Sequence, residues 1–371
     1  MRLPFAACLV LAATLRLAGD EPIRIGMFAS LTGREASFGQ TNHRGAAFAI
    51  EELNAAGGVL GRRLELIAED TRSLQGEAAT ATKKLIARDR VVAVVSGTGS
   101  SAALEAAPIC QTASVPLVAA TATNPRVTEA GDYIFRACFI DPFQGTALAK
   151  FARGTLRARR VAVLVSANNA YSVGLAKYFR ERFTADGGAV VAEARYNEGD
   201  KDFRAQLTAI KAAGPDAIFG SGNYTEGALI CVQARQLGLT VPLFGGDTWD
   251  TPALTELAGK SAEGACFTGH FSPDSTDPAV QGFVARFRAR WGEKPDTGTS
   301  LGYEAVQLLA DAIRRAGSTA GAKVRDALAA TKDFAGVTGR ITIDAQRNAS
   351  KPAVIFTVKD GKFVYVESVA P

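Results

Sequence analysis

The sequence predicts an α/β fold of two doubly wound parallel-sheet lobes joined by a multi-strand hinge. Short apolar runs rich in β-branched residues alternate with helical patterns from Ile23 to Gly245, and such alternation is typical of a parallel sheet with helices on both faces. It comes as two successive series separated by Asp141-Pro142, which indicates two sheets rather than one. The helical segments after residue 279 lack intervening strands, so they must pack on a sheet formed earlier in the chain.

The first series predicts one lobe and the second predicts the other. In the first we expect strands over 23–28, 64–69, 91–95 and 115–119, a polar loop over 30–39, helices over 45–54 and 76–89, and a helix that begins at Ser100. In the second we expect strands over 160–165, 189–196, 217–220 and 243–245, with helices over 172–186, 203–212 and 227–237.

The last part of the chain determines the predicted domain organisation. We expect helices over 279–291, 299–316 and 320–331, a strand over 340–343, and a hairpin of 354–358 and 363–366 that turns at Asp360-Gly361. The chain therefore returns first to one sheet and then to the other, which predicts several hinge crossings and a cleft. The predicted units are a signal peptide (1–20), lobe 1 (22–141 and 271–340) and lobe 2 (142–270 and 341–371).

The N-terminal residues predict export. Arg2 precedes an apolar run from Leu3 to Leu15, and the small residues Ala18 and Gly19 precede a polar start, as in a secretory signal. The run is too short to span a membrane, and Arg16 interrupts its end. These features predict a periplasmic protein.

Composition supports a globular protein with a small-molecule ligand. The 371 residues are 47% hydrophobic and 21% charged, which suits two ordinary domains and argues against disorder. The net charge of +5 is spread along the chain without a nucleic-acid-binding motif, so we expect solvated basic faces and no nucleic-acid partner. Cys110, Cys138, Cys231 and Cys266 form no CxxC pair; we expect buried free thiols, with one or two disulfides as the alternative.

The stretch from residue 91 to residue 125 predicts half of a ligand site. It is a strand, helix, strand unit, and in a parallel sheet the strand ends and helix N-termini share the edge where ligands bind. Ser100 would begin the helix, where unpaired N–H groups and the helix dipole favour a carboxylate. Thr121 and Thr123 would add hydroxyls from the neighbouring strand.

Strand ends in the second series predict the other half of the site. Tyr171, Asn223 and Asp247 each follow a predicted strand at the edge that faces the cleft. Taken alone, Asp247 is best interpreted as a helix cap and Tyr171 as a packed loop aromatic. Together with the hydroxyls of the first lobe, a carboxylate at Asp247 predicts a clamp for a zwitterion such as an α-amino acid.

The sequence gives little support for an enzymatic function. The Gly-rich segment 97–102 resembles a dinucleotide fingerprint, but the next strand ends in Ala120-Thr121-Ala122-Thr123 without the acidic residue that would hold a ribose. His43 and His270 are the only histidines, neither in a triad context, and no Gly-x-Ser-x-Gly elbow or metal-ligand spacing occurs. We therefore expect a binding protein without catalytic residues, metal or cofactor, and keep a nucleotide-dependent oxidoreductase as the alternative from another class.

These features together resemble the periplasmic branched-chain amino-acid-binding proteins, the leucine/isoleucine/valine receptors of ABC transporters with the type I binding-protein fold. The resemblance covers nearly everything after the signal. The segments that carry it are 25–26, 31–33, 38–39, 45–70, 100–101, 121–125, 171–174, 200–203, 233–235 and 302–306.

The resemblance implies roles for particular residues. Ser100, Thr121, Ala122 and Thr123 would hold the ligand carboxylate and ammonium, and Asp247 would be the acidic partner of the ammonium. Tyr171 would close over the ligand, and the side-chain pocket or its rim would be lined by Phe38, Asn223 and Tyr303.

The function implied is that of a monomeric extracytoplasmic receptor. It would capture an α-amino acid with an aliphatic, branched-chain or other neutral side chain and deliver it to an ABC permease. Arg34, Glu35, Asn168, Asn169 and Asn223 depart from a purely hydrophobic pocket and leave the side-chain preference open. The alternative with the same fold is a receptor or sensor for an amide, urea or aromatic carboxylate.

Overall fold

The computed structural model describes residues 21–371 and contains two α/β lobes, each built on its own sheet. The predicted signal peptide, residues 1–20, lies outside the described residues. Lobe 1 begins with β1 (Ile23–Ala29), α1 (Ala36–Ala55), β2 (Leu64–Asp70), α2 (Glu77–Ala87), β3 (Ala93–Ser96), α3 (Ser100–Thr112), β4 (Leu117–Ala119), α4 (Arg126–Glu129) and β5 (Ile134–Arg136). Its five parallel strands have the order β2-β1-β3-β4-β5.

Lobe 2 follows directly and takes up most of the second half of the chain. Its elements are α5 (Asp141–Gly154), β6 (Arg160–Ser166), α6 (Ala170–Ala185), β7 (Ala189–Tyr196), α7 (Arg204–Ala213), β8 (Ala217–Gly220), α8 (Tyr224–Gln236), β9 (Leu243–Gly245), α9 (Pro252–Ala258) and β10 (Cys266–Gly269). The chain then returns to lobe 1 with α10 (Pro278–Trp291), α11 (Thr297–Ala316), α12 (Gly321–Ala329), β11 (Phe334–Gly336), β12 (Gly339–Ile343) and β13 (Ala349–Ser350). It ends in lobe 2 with β14 (Ala353–Lys359) and β15 (Lys362–Val369).

The strand order places one switch point in each lobe. The lobe 2 sheet has the order β15-β14-β10-β9-β8-β6-β7, with the antiparallel hairpin β14-β15 at one edge. Connections leave in opposite directions between β1 and β3 in lobe 1 and between β6 and β8 in lobe 2. Loops diverge at such points and open a crevice at the carboxyl ends of the strands, where ligands bind. The predicted two-lobe α/β fold is confirmed.

Helices α10, α11 and α12 pack on lobe 1, as expected for helices without strands of their own. Leu301, Val306 and Ile313 of α11 are buried in the same core as Ile25 and Val95 of the sheet. Helices α1 and α11 approach each other closely at glycines. A Cβ at Gly45 would overlap the Thr299 backbone oxygen, and one at Gly302 would overlap that of Asn42.

Three segments connect the lobes and form the hinge. The chain passes from β5 to α5, from β10 back to lobe 1 at Phe271, and from β13 to β14. Lys351 in the third segment donates from Nζ to the Ala137 carbonyl in the first (2.9 Å) and to both oxygens of Glu304 on α11 (3.2 Å each). The side chains of this ion pair are fully buried.

Element boundaries differ from the predictions in a few places. Helix α1 begins at Ala36 rather than 45, because its glycines serve helix packing rather than a loop. Ile341 and Ala349 are buried in the lobe 1 core, so the last crossing comes about ten residues after the predicted boundary at 340/341. The short strands β5 and β10 and the 14-residue helix α5 do not appear among the predicted elements.

The four cysteines in the described range are buried free thiols. Burial raises the pKa of the Cys110 and Cys231 thiols to about 12, which keeps both in the unreactive thiol form. None of the helices in residues 21–371 combines the length and apolar character that a membrane crossing requires.

Candidate ligand-binding cleft

A cavity of about 520 Å³ lies between the two lobes, at the carboxyl ends of both sheets. Lobe 1 lines it with residues that follow β1, β3 and β4, among them Ser30, Ser100 and Thr121. Lobe 2 contributes residues that follow β6, β8 and β9, among them Asn169 and Asn223. The strand ends named by the sequence thus meet at one cavity, and its volume is typical of small-molecule sites.

The lobe 1 wall offers hydroxyl groups around the start of a helix. Ser100 is the first residue of α3, and its Oγ accepts a hydrogen bond from the Asn124 N–H (3.2 Å). Thr121 Oγ1 donates to the Thr98 carbonyl (3.0 Å), which fixes the side chain beside Ser100. The first N–H groups of a helix have no intrahelical acceptor, so this wall is suited to a carboxylate.

A buried arginine holds the loop that follows β4. Arg136 at the end of β5 donates to the carbonyl oxygens of Ala122 (2.6 Å) and Asn124 (2.8 Å). These bonds fix the backbone of the segment that contains Thr121 and Thr123. Sequence reasoning missed Arg136, although an arginine within an apolar strand signals an internal hydrogen-bonding role.

Direct contacts join the lobes across the cleft, so the structure is closed. The Tyr224 hydroxyl donates to the Arg34 carbonyl (2.8 Å), and the Ser37 and Thr251 hydroxyls lie 2.9 Å apart. The Ala170 N–H donates to Ser101 Oγ (3.1 Å). Phe38 of lobe 1 is buried within the apolar cluster of lobe 2.

An acidic cluster, defined here as Arg34, Glu35, Asn169, Glu198 and Asn223, lines part of the cavity. Asn223 Nδ2 donates to Glu35 Oε1 of lobe 1 (2.7 Å) and to Glu198 Oε1 of lobe 2 (3.1 Å). Asn169 Nδ2 donates to the same Glu198 oxygen (2.6 Å), and Arg34 Nη2 lies 3.3 Å from Glu198 Oε2. One amide therefore links carboxylates from opposite lobes.

Burial and neighbouring negative charge destabilise the charged forms of the two carboxylates in the acidic cluster. Burial, followed by the charge of Glu198, raises the pKa of Glu35 to about 7 against the opposing effect of Arg34. Burial also raises the pKa of Glu198, against the lowering effects of the Asn169 hydrogen bond and Arg34. Negative charge at this part of the cavity is thus incompletely balanced by the protein.

A second polar group, the buried aspartate network of Gln144, Tyr171, Asp247 and His270, lies behind the cavity wall. Asp247 Oδ1 accepts from Gln144 Nε2 (2.7 Å) and from the Tyr171 hydroxyl (2.8 Å). Its Oδ2 lies 2.9 Å from His270 Nε2. The Asp247 side chain is 1% exposed and that of His270 fully buried.

The surroundings keep Tyr171 and His270 uncharged. Burial, with the charge of Asp247, raises the pKa of Tyr171 well above its ordinary value. Burial lowers the pKa of His270 although Asp247 acts in the opposite direction. Neutral His270 stacks on Phe139, with ring centroids 3.6 Å apart.

Asp141, the first residue of α5, is a further buried carboxyl beside this network. Burial raises its pKa to about 8, against the lowering effects of the adjoining Thr123 hydroxyl and Arg136. The charge of Asp247 acts in the same direction as burial. Asp141 is therefore largely protonated at neutral pH.

The structure places the nine predicted site residues in three settings. Those that line the cavity are Phe38, Ser100, Thr121, Tyr171 and Asn223. Those that are buried behind the lining are Ala122, Thr123 and Asp247. Tyr303 lies in the lobe 1 core, where it packs on Phe283 (ring centroids 4.7 Å apart) and donates to Glu52 (2.6 Å).

Some cavity residues were not predicted. Glu198, Tyr224 and Thr248 line the cavity from lobe 2, two residues after β7, at the start of α8 and after β9. Each follows a correctly predicted strand, so the available signal was a polar or aromatic residue at a strand end. Within residues 21–371, no group of three or more His, Cys, Asp or Glu side chains is arranged to hold a metal ion.

Comparison with known proteins identifies the family. Residues 22–362 match the family model described as periplasmic binding protein. The Leu/Ile/Val-binding protein homolog 3 of Brucella melitensis is 30% identical, covering 99% of this chain and 100% of that protein. The chain belongs to the periplasmic binding protein family.

Solved structures agree with this assignment and with the predicted fold. The leucine-binding protein LivK of Thermotoga maritima is 38% identical with a TM-score of 0.91, covering 94% of this chain and 99% of that one. The branched-chain amino-acid transporter substrate-binding protein LivJ of Streptococcus pneumoniae, solved with isoleucine, is 34% identical with a TM-score of 0.89, covering 95% and 100%. The predicted resemblance to leucine/isoleucine/valine receptors and the type I binding-protein fold are confirmed.

Proposed function

We propose that this protein is an extracytoplasmic solute-binding protein that captures an α-amino acid in its interlobe cleft and delivers it to an ABC permease. The observation that carries the proposal is the interlobe cavity, with a hydroxyl-lined helix N-terminus on the lobe 1 wall and, in lobe 2, the carboxylates of Glu198 at the wall and Asp247 behind it. The names of the similar proteins support an amino-acid ligand. Residues 1–20 are the proposed export signal.

The ligand carboxylate would bind on lobe 1. Ser100 Oγ and the first N–H groups of α3 provide donors there, and the segment held by Arg136 places Thr121 alongside. Hydrogen bonds to a charged group are stronger than those between neutral groups, so this wall would contribute much of the affinity common to all amino acids.

The ligand ammonium would bind to Asp247. In the closed structure Asp247 Oδ1 has two protein donors, whereas Oδ2 has one and retains capacity for another. Tyr171 lies between Asp247 and the cavity, because it lines the cavity and its hydroxyl reaches Oδ1. A shift of the Tyr171 side chain would therefore give the ammonium access, and Tyr171 would then cover the ligand.

Hinge closure would couple binding to recognition by the permease. A ligand that contacts both lobes favours the closed state through its contacts to the second lobe. Tyr224, Ser37 and Ser101 already join the lobes directly, so the ligand adds to contacts that the protein makes itself. The permease would then select the closed form.

A thermal-shift screen of protein recovered from the periplasm tests the proposal. Mass spectrometry should show that residues 1–20 are absent, and one group of free α-amino acids should raise the melting temperature by mass action. The N-acetylated and carboxyl-amidated forms of the best ligand should have no such effect, because each removes one of the two charges. Silence from every amino acid, with a response to a simple amide, urea or an aromatic carboxylate, would replace the proposal by the alternative receptor.

A further inference from the structure

The residues that line the cavity carry an excess of negative charge. They include three carboxylates, Glu35, Glu105 and Glu198, and a single guanidinium, that of Arg34. Glu226 is buried nearby and its charge further raises the pKa of both Glu35 and Glu198. A ligand that enters this cavity therefore meets a negative potential.

Closure concentrates this charge at one place. Glu35 comes from lobe 1 and Glu198 from lobe 2, and both accept a hydrogen bond from Asn223 Nδ2. Their Oε1 atoms are thus at most about 6 Å apart, given the lengths of the two bonds. A single cation between them would lie within reach of both carboxylates.

The protein leaves part of this cluster without partners. Among the described residues, the Glu35 carboxylate accepts one hydrogen bond, from Asn223 Nδ2 to Oε1, so Oε2 keeps its full acceptor capacity. The Arg34 side chain is 37% exposed and contacts Glu198 through one nitrogen at 3.3 Å. Since the surroundings raise the pKa of Glu35 to about 7, a positive group placed there would be bound most tightly with Glu35 ionised.

We propose that the preferred ligand has a positively charged side chain, held by Glu35 and Glu198 from opposite lobes; this inference rests on the proposed α-amino-acid receptor function. The ammonium or guanidinium of a basic amino acid donates several hydrogen bonds and neutralises the excess charge of the closed cleft. Because the two carboxylates lie on different lobes, the same cation also stabilises closure.

An aliphatic side chain would fit this part of the cavity poorly. It would remove water from Glu35 and Glu198 without supplying a donor or a charge. Desolvating a carboxylate in this way costs free energy. Phe38 and Leu104 give the cavity some apolar surface, which suits the methylene stem of a long basic side chain. The chemistry of the cavity therefore favours a basic ligand over a branched-chain one.

Calorimetric titration of the full exported protein, freed of bound ligand by unfolding and refolding, tests the inference. The panel is arginine, lysine and ornithine, with citrulline as the neutral analogue of arginine and leucine as the aliphatic comparison. The best basic amino acid should bind at least about tenfold more tightly than citrulline or leucine. Comparable affinity for citrulline, or tighter binding of leucine, would overturn the inference while leaving the proposed receptor function intact.

Variants test whether Glu35 and Glu198 bind the positively charged side chain of the ligand. Glu35→Gln and Glu198→Gln should each weaken binding of the basic ligand at least about tenfold and change that of citrulline less than about threefold. The control is Glu193→Gln, which removes a carboxylate of β7 that is paired with Arg180 Nη1 (2.8 Å) outside the cavity lining. Its effect should stay within about threefold for every ligand.

The two proposals fail in different ways. Equal losses for basic and neutral ligands in Glu35→Gln and Glu198→Gln would overturn the assignment of the cation to these carboxylates. Absence of binding for every α-amino acid in the wild-type protein would overturn the receptor function, and the inference with it.

Discussion

The buried aspartate network and the acidic cluster both join carboxylate groups to side-chain amides, but they differ in how completely the carboxylates are paired. Asp247 accepts from three protein side chains and is 1% exposed. Glu35 has one side-chain partner at Oε1, shares it with Glu198, and faces the cavity. The protein thus supplies most of the partners of Asp247 and leaves one acceptor position at Oδ2, whereas it leaves Glu35 Oε2 without any hydrogen bond.

This difference separates two kinds of contribution. A buried carboxylate that the protein itself satisfies holds the fold, because loss of any partner leaves a desolvated group unpaired. An incompletely paired carboxylate in a cavity is a site for a group from outside. Changes to a carboxylate that the protein pairs fully, such as Glu304 with Lys351 at the hinge, should therefore affect stability, whereas changes in the acidic cluster should affect binding.

The largest effect is expected at the hinge, for Lys351→Met. The substitution leaves the buried Glu304 carboxyl group without its cation, and breaking a buried pair in this way costs about 3–5 kcal/mol. Urea unfolding of the ligand-free protein should show a loss of this size in the free energy of unfolding. Adding Glu304→Leu should recover part of it, since the remaining unpaired charge is then removed.

Lys294→Met is the matched control for this prediction. Lys294 contacts Asp274 at 2.7 Å, but both side chains are more than half exposed, so the loss should be about 0–1 kcal/mol. Similar losses for the two lysine variants would show that the buried ion pair at the hinge contributes no more stability than an exposed ion pair. A carboxylate that the protein pairs fully would then not be distinguished by its effect on stability.

The sequence predicted the part of the site that topology determines. Ser100, Thr121, Asn223 and Tyr171 follow parallel strands, and the carboxyl ends of such strands meet at one edge whatever the details of packing. The position of Asp247 at the end of β9 was predicted in the same way. Strand patterns were strong because the strands are buried on both faces.

Long-range convergence of side chains could not be predicted. Gln144, Tyr171 and His270 are 103, 76 and 23 residues from Asp247, and only the folded lobe shows that they surround its carboxylate. Tyr303 was expected at the pocket, but it lies on the face of α11 that packs against α1 and α10. Strand patterns do not specify which side chains of distant elements meet.

A smaller effect, visible as a pH dependence, is expected for Asp141→Asn at the hinge. In the folded protein the pKa of Asp141 is about 8, above its ordinary value of 3.8. The protonated carboxyl group therefore favours the folded state. This contribution to stability is complete below the ordinary pKa and is lost as the pH rises through the pKa of the folded protein. The asparagine variant has no proton to lose.

Unfolding measured at several pH values checks this. Between about pH 5 and pH 7 the wild type should lose stability relative to Asp141→Asn by up to about 1.4 kcal/mol per pH unit, the limit for one group. Other titrating groups are common to both proteins and cancel in the difference. Parallel stability curves would mean that Asp141 is ionised in the folded state and stabilised there by the charge of Arg136.

The smallest effect is expected at Ser100, which lines the cavity from the lobe 1 wall and belongs to neither region. Its hydroxyl lines the cavity and also accepts the Asn124 N–H, so Ser100→Ala removes one ligand hydrogen bond and one internal bond. One such bond contributes about 1 kcal/mol, so affinity should fall about fivefold for every α-amino acid, whatever its side chain. Ser318→Ala is the control, because its Oγ also accepts a backbone N–H, that of Ala320 (3.1 Å), and does not line the cavity. A loss confined to basic ligands would place Ser100 with the acidic cluster, whereas a uniform loss assigns it to the part of the ligand that all amino acids share.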